Sequence, residues 1–227
     1  MKNLGNFMVF VGASVIGVGG LMAAPCDPAH PLNNFCLASA GSSTVLDGVY
    51  ISPYTAFVDG SLVQTQVICD DFVDEVQVGE SWRATSANVG SASTGLFGSL
   101  NSTGYKEVAW LSQQLLLNPG NAGAISYAIW AVFQPVAVST WLVSHGDLAT
   151  PTAIVGLLAQ AATHTGDDFS NVSVYTPVAG TSTCCGPPQE FVVVHTAEAS
   201  ALTTLGLDLS GFLLFAFALR RKFAPVR

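Results

Sequence analysis

The apolar and polar positions between residues 42 and 76 follow a period of two, which is typical of β-strands. Short apolar runs alternate there with turn residues, and the pair Asp59-Gly60 predicts a tight hairpin. The predicted strands cover residues 45–51, 55–58, 62–69 and 73–78. Residues 84–104 consist mostly of Ser, Gly, Ala, Asn and Thr, a composition that predicts a loop.

The period lengthens after this loop to that of a helix. Residues 105–117 place Val108, Leu111 and Leu115 near one helical face, and Asn118-Pro119-Gly120 predicts the end of that helix. Further elements are predicted as a helix over 122–133 ended by Pro135, a helix from Thr150 to about residue 162, and strands over 172–178 and 190–195. Strands, a helical insert and further strands, in that order, predict an α+β domain.

The beginning of the chain has the pattern of a signal peptide. Lys2 supplies a basic start, residues 7–21 form an apolar stretch, and small residues follow it. We therefore expect a signal peptide over residues 1–24, with cleavage after Ala24 or, alternatively, after Ala23. An uncleaved anchor at this end is the other interpretation. The domain expected to be exported covers residues 25–196.

The end of the chain has the pattern of a membrane span followed by positive charge. Residues 201–219 are apolar apart from Asp208, and as a helix they would rise about 28 Å, close to the thickness of a hydrocarbon core. Arg220, Arg221 and Lys222 follow directly. Basic residues beside a span stay on the cytoplasmic side, so residues 25–196 are expected outside the inner membrane.

Residues 197–227 resemble the sorting tail of the PEP-CTERM proteins of Gram-negative bacteria, in which a short acidic motif precedes one apolar helix and a basic end. The motif position holds Ala197, Glu198, Ala199 and Ser200, with alanines where the family has prolines. The resemblance implies recognition and cleavage by an exosortase-type transpeptidase, in cells that make exopolysaccharide. The alternative is a plain C-terminal anchor.

The charge and the cysteine content limit the possible partners and the compartment of the protein. Residues 25–196 carry 13 acidic and two basic side chains, a formal charge of −11, which should repel nucleic acid and anionic lipid surfaces. An exported chain with five cysteines should form disulfide bonds. The expected local pair is Cys26 with Cys36, the connectivity of Cys184 and Cys185 stays open, and Cys69 is the odd thiol if two bonds form.

Residues 68–72 read Ile-Cys-Asp-Asp-Phe, and residues 126–130 read Ser-Tyr-Ala-Ile-Trp. Together these two stretches resemble the thioester domains of bacterial surface adhesins. In that family a Cys near an aspartate condenses with the Gln of a Gln-x-Ala-Ile-Trp helix. Cys69 and Ser126 take those two positions here. Because Ser126 has no carboxamide, we expect no thioester and a buried Cys69 in apolar surroundings; the alternative is that both stretches belong only to the core.

The remaining polar residues predict no cofactor, metal or catalytic site. Asp70, Asp71, Asp74 and Glu75 lack the spacing of a calcium loop and are expected on a solvated edge. The sequence has no Gly-x-Ser-x-Gly, His-Glu-x-x-His, Cys-x-x-Cys or phosphate-binding loop. We therefore predict a structural or adhesive surface protein of an exopolysaccharide or biofilm matrix, not an enzyme. The alternatives are a covalent thioester adhesin and a secreted hydrolase.

Overall fold

The computed structural model of this chain describes residues 33–40, 45–147, 149–184 and 186–195. The predicted signal peptide and the predicted sorting tail lie outside these ranges. Within them, no helix combines the length and the apolarity that a membrane crossing requires.

The described residues form strands, then a block of helices, then strands, which confirms the predicted α+β class. The helices are α1 Thr103–Leu117, α2 Ala122–Phe133, α3 Pro135–Ser144 and α4 Thr150–Thr163. The strands are β1 Phe35–Ser39, β2 Val45–Leu46, β3 Val49–Tyr50, β4 Tyr54–Val58, β5 Thr65–Cys69, β6 Ser81–Trp82, β7 Ala84–Asn88, β8 Thr94–Gly95, β9 Gly98–Ser99, β10 Val172–Pro177 and β11 Phe191–Val194.

Seven of the strands form one antiparallel sheet that curls on itself. Its strand order is β6-β1-β4-β5-β11-β10-β7. Strands β1 and β10 are four spacings apart, about 19 Å in a flat sheet at about 4.8 Å per strand. The ring centroids of Phe35 in β1 and Tyr175 in β10 are nevertheless only 5.7 Å apart. The two edge strands, β6 and β7, are joined through Arg83 alone, so the sheet almost closes and few edge groups stay unpaired.

The inside of the curled sheet is filled mainly by aromatic rings. Phe35 stacks on Trp82 at 4.6 Å and on Phe191 at 5.1 Å between centroids. Tyr54 meets Phe191 edge-on at 6.0 Å. Offset and edge-on ring pairs add stability beyond the area that they bury. We call this cluster the sheet interior; its remaining buried members are Leu37, Ala56, Val58, Val67, Cys69, Ala84, Tyr175 and Val193.

The outer face of the sheet packs against the helices. Along β11, Phe191 and Val193 face the sheet interior, whereas Val192 joins the helical core, as the alternation of a strand requires. Strand β5 does the same with Ile68 on the helical side. Helix α2 is the central helix, since every residue from 125 to 131 is buried.

The predicted helix over residues 122–133 is confirmed as α2, and the helix predicted from Thr150 is found as α4. The sequence did not predict α3, whose first residue is Pro135, a position where the missing N–H of proline costs nothing. Thr150 is the first residue of α4. The carboxylate of Asp147 accepts the N–H groups of Ala149 and Thr150 at 2.9 and 3.0 Å and so caps that helix. The predicted end of α1 at Asn118 is confirmed.

The strand predictions are confirmed in part. The hairpin at Asp59-Gly60 is confirmed, because β4 pairs with β5 and both turn residues have positive φ, 52° and 71°. The predicted strand over residues 73–78 is wrong, since these residues form bends and loop. The predicted loop over residues 84–104 contains β7, which pairs with β10 along its whole length.

We expect Phe191→Ala to destabilise the domain by about 3–5 kcal/mol, because its fully buried ring contacts Phe35, Trp82 and Tyr54. Urea unfolding followed by fluorescence measures the loss. The control is Leu117→Ala, whose side chain is 72% exposed and whose replacement should change stability by less than about 0.5 kcal/mol. Equal effects of the two substitutions would contradict a close-packed sheet interior.

Candidate functional site

Cys69 is the last residue of β5 and only 1% of it is exposed, which confirms its predicted burial. Its N–H donates to Ser52 Oγ at 3.2 Å, and its thiol donates to the carbonyl oxygen of Asp71 at 2.9 Å. The thiol is therefore held by the backbone two residues further along the chain.

Ser126, the other residue of the thioester resemblance, lies on α2 and is fully buried. Its hydroxyl accepts the N–H of Ser52 at 3.2 Å. Ser52 thus contacts both Cys69 and Ser126, and the structure brings the two positions to one place. A serine hydroxyl offers no acyl carbon to a thiol, so the contact is structural.

The surroundings of Cys69 are acidic as well as apolar, which the sequence analysis did not predict. Burial, followed by the neighbouring carboxyl groups of Asp70 and Asp71, raises the pKa of the Cys69 thiol well above its ordinary value. Because the thiolate is the nucleophilic form, this thiol should react slowly at neutral pH.

Asp70 and Asp71 do not lie on a solvated edge, as predicted, but are buried, at 0% and 1% exposure. The cause is the pairing of β5 with β11, in which Cys69 stands opposite Phe191. The residue after one strand and the residue before the other, Asp70 and Glu190, therefore lie side by side, with the Asp70 N–H 3.5 Å from the Glu190 carbonyl oxygen.

The carboxylate of Glu190 accepts three hydrogen bonds although it is completely buried. The Tyr105 hydroxyl donates to Oε1 at 2.5 Å, and the Leu96 N–H and the Thr176 hydroxyl donate to Oε2 at 2.7 and 2.5 Å. Charge-assisted bonds of this kind offset the cost of burying an ion.

Asp70 favours the protonated form of its carboxyl group. Neither Asp70 oxygen has a hydrogen-bond partner among the described residues, and the Glu190 carboxylate lies nearby. An ionised Asp70 would therefore be a second buried charge without a donor. Burial, then the charges of Glu190 and Asp71, raise the pKa of Asp70 well above its ordinary value, in agreement with this assignment.

Tyr105 reaches Glu190 because Gly95 leaves room for its ring. A Cβ atom at Gly95 would lie 2.2 Å from the Tyr105 hydroxyl oxygen, closer than any non-bonded contact allows. The same hydroxyl accepts the N–H of Phe97 at 2.9 Å. Burial and the Glu190 charge raise the pKa of Tyr105 far above neutrality, so it acts as a hydrogen-bond donor.

Two glutamine side chains shape the segment after β5. Gln134, between α2 and α3, donates to Asp71 Oδ1 at 2.9 Å and accepts the Phe72 N–H at 2.5 Å. Gln189 donates from Nε2 to the carbonyl oxygens of Asp71, at 3.0 Å, and Asp74. These bonds replace the strand pairing that residues 73–78 lack.

A groove of about 460 Å³ lies between this segment and the β2–β3 hairpin. Its wall includes Asp71, Asp74 and Glu75 together with Tyr50 and Phe72. Partial burial, then the charge of Asp71, raises the pKa of Asp74 to about 6. Among the described residues, no group of three or more His, Cys, Asp or Glu side chains is arranged to hold a metal ion.

A Ser–His contact elsewhere does not have the geometry of a nucleophile and its base. Ser173 Oγ lies 2.9 Å from His195 Nε2 and donates its own proton to Asn88 Oδ1 at 2.8 Å. With the hydroxyl proton already donated, His195 can only donate to Ser173. The contact fixes the end of β11 beside β10.

Of the other predicted site residues, some lie within the described ranges and others lie outside them. Cys36 takes part in a disulfide bond, and its predicted partner, Cys26, lies outside the described residues. Ala197, Glu198, Ala199, Ser200, Arg220, Arg221 and Lys222 also lie outside them.

Glu190, Tyr105, Gln134 and Gln189 were not identified from the sequence. For the two acids, the alternation of inward-facing and outward-facing positions along a strand was the available signal. Asp70 lies two positions after the buried Ile68, and Glu190 lies two positions before the buried Val192. An acidic residue at a position where the alternation predicts burial indicates an enclosed carboxyl group.

Comparisons with family models, with curated proteins and with solved structures find no match for this chain. The functional argument therefore depends on the residues and contacts described above.

We expect Asp70→Asn to be more stable than the wild type at pH 8, with a difference that shrinks towards pH 5. Folded Asp70 keeps a proton that the unfolded chain releases above about pH 3.9, so wild-type stability is greatest below that pH and falls as pH rises. The slope from this one group reaches at most about 1.4 kcal/mol per pH unit. The asparagine side chain is neutral at every pH and carries an N–H donor in place of the carboxyl proton.

Urea unfolding at several pH values gives the two stability curves. Glu75→Gln, which removes an exposed acid of the same segment, serves as the control and should run parallel to the wild type. If the curve of Asp70→Asn also runs parallel to that of the wild type, Asp70 is not protonated in the folded domain, and the prediction is wrong.

We also expect Cys69 to react with a maleimide much more slowly in the native protein than in urea, since its thiol is buried and protonated. Peptide mapping after timed labelling assigns the reaction to Cys69. The intact mass should equal that of the mature exported chain with its disulfide bonds and should not change with methylamine. A mass lower by one ammonia, converted by methylamine into an adduct, would instead reveal an internal thioester.

Proposed function

We propose that this chain is an exported surface or matrix protein of a Gram-negative bacterium with a structural or adhesive role. The observation that carries the proposal is the disulfide bond of Cys36. Disulfide bonds form and persist in the periplasm and outside the cell and are rare in the cytosol. This supports the export that the N-terminal apolar stretch predicts.

The proposed route to the cell surface is based on the tail over residues 197–227. In the proposal, the apolar stretch 201–219 holds an intermediate in the inner membrane, and an exosortase-type transpeptidase recognises Glu198 and its neighbours. The released domain then reaches the cell surface or the extracellular matrix, where exopolysaccharide is the proposed partner. The strongly acidic composition argues against nucleic acid as a partner.

A structural or adhesive role is preferred to catalysis because the most perturbed groups are enclosed. Asp70 and Glu190 are both fully buried, and the Glu190 oxygens are occupied by donors of the domain itself. Catalytic carboxyl groups must reach a substrate. The carboxyl pair is better suited to fixing the helices on the sheet.

The second candidate is a covalent adhesin of the thioester type. It is favoured by the contact of Ser52 with both Cys69 and Ser126, which places the two family positions together. It is disfavoured by the missing carboxamide at Ser126 and by the protonated thiol. The methylamine measurement described above separates this candidate from the first.

We expect alkaline phosphatase fused after Thr196 to be active in the periplasm, because everything before the predicted span should be exported. The matched fusion after Lys222 should be inactive, since the basic end stays in the cytoplasm. Colonies on a chromogenic substrate give the result. Activity of the second fusion alone would reverse the topology and overturn the proposal.

In a host with an exosortase, the secreted protein should lack the apolar stretch and the basic end, as intact mass spectrometry can show. Glu198→Ala should stay full-length and membrane-bound. A wild type that remains full-length in that host retains its tail as a plain anchor, and the sorting part of the proposal then fails.

A further inference from the structure

We propose that the groove beside the β2–β3 hairpin binds the protonated amine of an amino-sugar unit. This assignment rests on the proposed matrix function for its choice of a sugar, and it adds the site and the ligand chemistry. The groove has about 460 Å³ and lies directly over the segment that follows β5.

The first argument is charge. Asp71, Asp74 and Glu75 line the groove, and no Lys or Arg does. The bases of the described ranges are Arg83 and Lys106, and within those ranges no carboxylate is paired with either of them. The groove therefore has a negative potential that the domain itself does not neutralise, and such a site attracts a cation.

The second argument is an unpartnered oxygen. Asp71 is 1% exposed and its Oδ1 accepts from Gln134 and from the N–H groups of Val73 and Asp74. Its Oδ2 is buried and has no donor among the described residues. Buried polar atoms are nearly always hydrogen-bonded. An ammonium group in the groove would supply the missing donor and relieve the repulsion between Asp71 and Asp74.

The third argument is the balance of donors and acceptors. The Gln189 amide already donates to the carbonyl oxygens of Asp71 and Asp74, and the Tyr54 hydroxyl donates to the Tyr50 carbonyl oxygen at 2.6 Å. The side-chain polar groups left for a ligand are the carboxylates of Asp71, Asp74 and Glu75, the Gln77 amide and the Trp130 N–H. Three carboxylates favour a ligand with several donors, and an ammonium group with neighbouring hydroxyl groups supplies these donors together with an acceptor for Trp130.

The fourth argument is size and apolar surface. The volume falls in the range of sites that enclose a small organic molecule and exceeds what one lysine side chain fills. Tyr50, 51% exposed, and Phe72 lie among the lining residues, together with Val49, Val76 and Val78. The C–H face of a sugar ring packs on aromatic and aliphatic surface, so these residues favour a sugar as the carrier of the amine.

The test is isothermal titration of the full-length chain, purified in a polyoxyethylene detergent that contains no sugar. The probes are a glucosamine trimer, the N-acetylglucosamine trimer, propylamine and a lysine tripeptide. We expect the glucosamine trimer to bind at least about tenfold more tightly than each of the other three.

Asp74→Asn should weaken the binding of the glucosamine trimer roughly tenfold, since one charge-assisted contact is lost, and Asp71→Asn should do the same. Glu107→Gln removes one negative charge from α1, away from the groove, and should bind like the wild type.

Any other result overturns the assignment of this groove as an amino-sugar site. Equal binding of the two sugar trimers means that the charge is not recognised. Binding of the lysine tripeptide or of propylamine as tight as that of the trimer means that the sugar is not recognised. Absence of binding, or equal binding by wild type and Asp74→Asn, removes the site. None of these outcomes bears on export, which the phosphatase fusions test separately, so failure of the groove and failure of the proposed function are distinguishable.

Discussion

The buried carboxylate of Glu190 is the interaction on which the arrangement of helices and sheet depends. It lies beside Asp70 at the end of β5 and accepts hydrogen bonds from Tyr105 of α1, Leu96 of the β8–β9 hairpin and Thr176 of β10. An isolated charge in such a place would cost several kcal/mol, and each donor removes part of that cost. The elements can satisfy this one group only in a single relative placement, so the carboxylate selects their geometry as well as holding it.

The groove is a consequence of the same constraint. Strand β5 ends at Cys69, and the buried Asp70 follows it directly beside Glu190. The chain then leaves the sheet, and Gln134 and Gln189 bond to the segment in place of a neighbouring strand. A strand in this position would have covered the hairpin side of the sheet. The loop leaves it open and places Asp71 and Asp74 at the opening.

Local signals in the sequence were sufficient for elements whose stability is local. The period of residues 105–117, the stop at Asn118-Pro119-Gly120 and the Asp59-Gly60 turn each act within a few residues, and all three are found in the structure. The class and the order of elements followed from them. These features need no knowledge of distant partners.

The features that the sequence did not reveal depend on distant pairing. Strand β7 is built of small and polar residues and is a strand because β10, nearly ninety residues later, supplies its hydrogen bonds. The burial of Asp70 depends on Glu190, which is 120 positions away. No local pattern shows whether such an acid is solvated or enclosed. Helix α3 was missed for a related reason, since Pro135, which ends α2 as predicted, also fits the first turn of the next helix.

The position of β11 in the sheet determines how the domain would carry mechanical load. Residues after His195 continue directly from β11, which is hydrogen-bonded on one side to β5 and on the other to β10. A pull on that end, along the strand, acts across both ladders at once, because the bonds of antiparallel strands lie perpendicular to the strand axis. They must shear together instead of opening one after another. The same displacement would draw Glu190 away from Tyr105 and expose an unpaired charge, so the strand that leads out of the domain is held by both ladders and by this buried carboxylate.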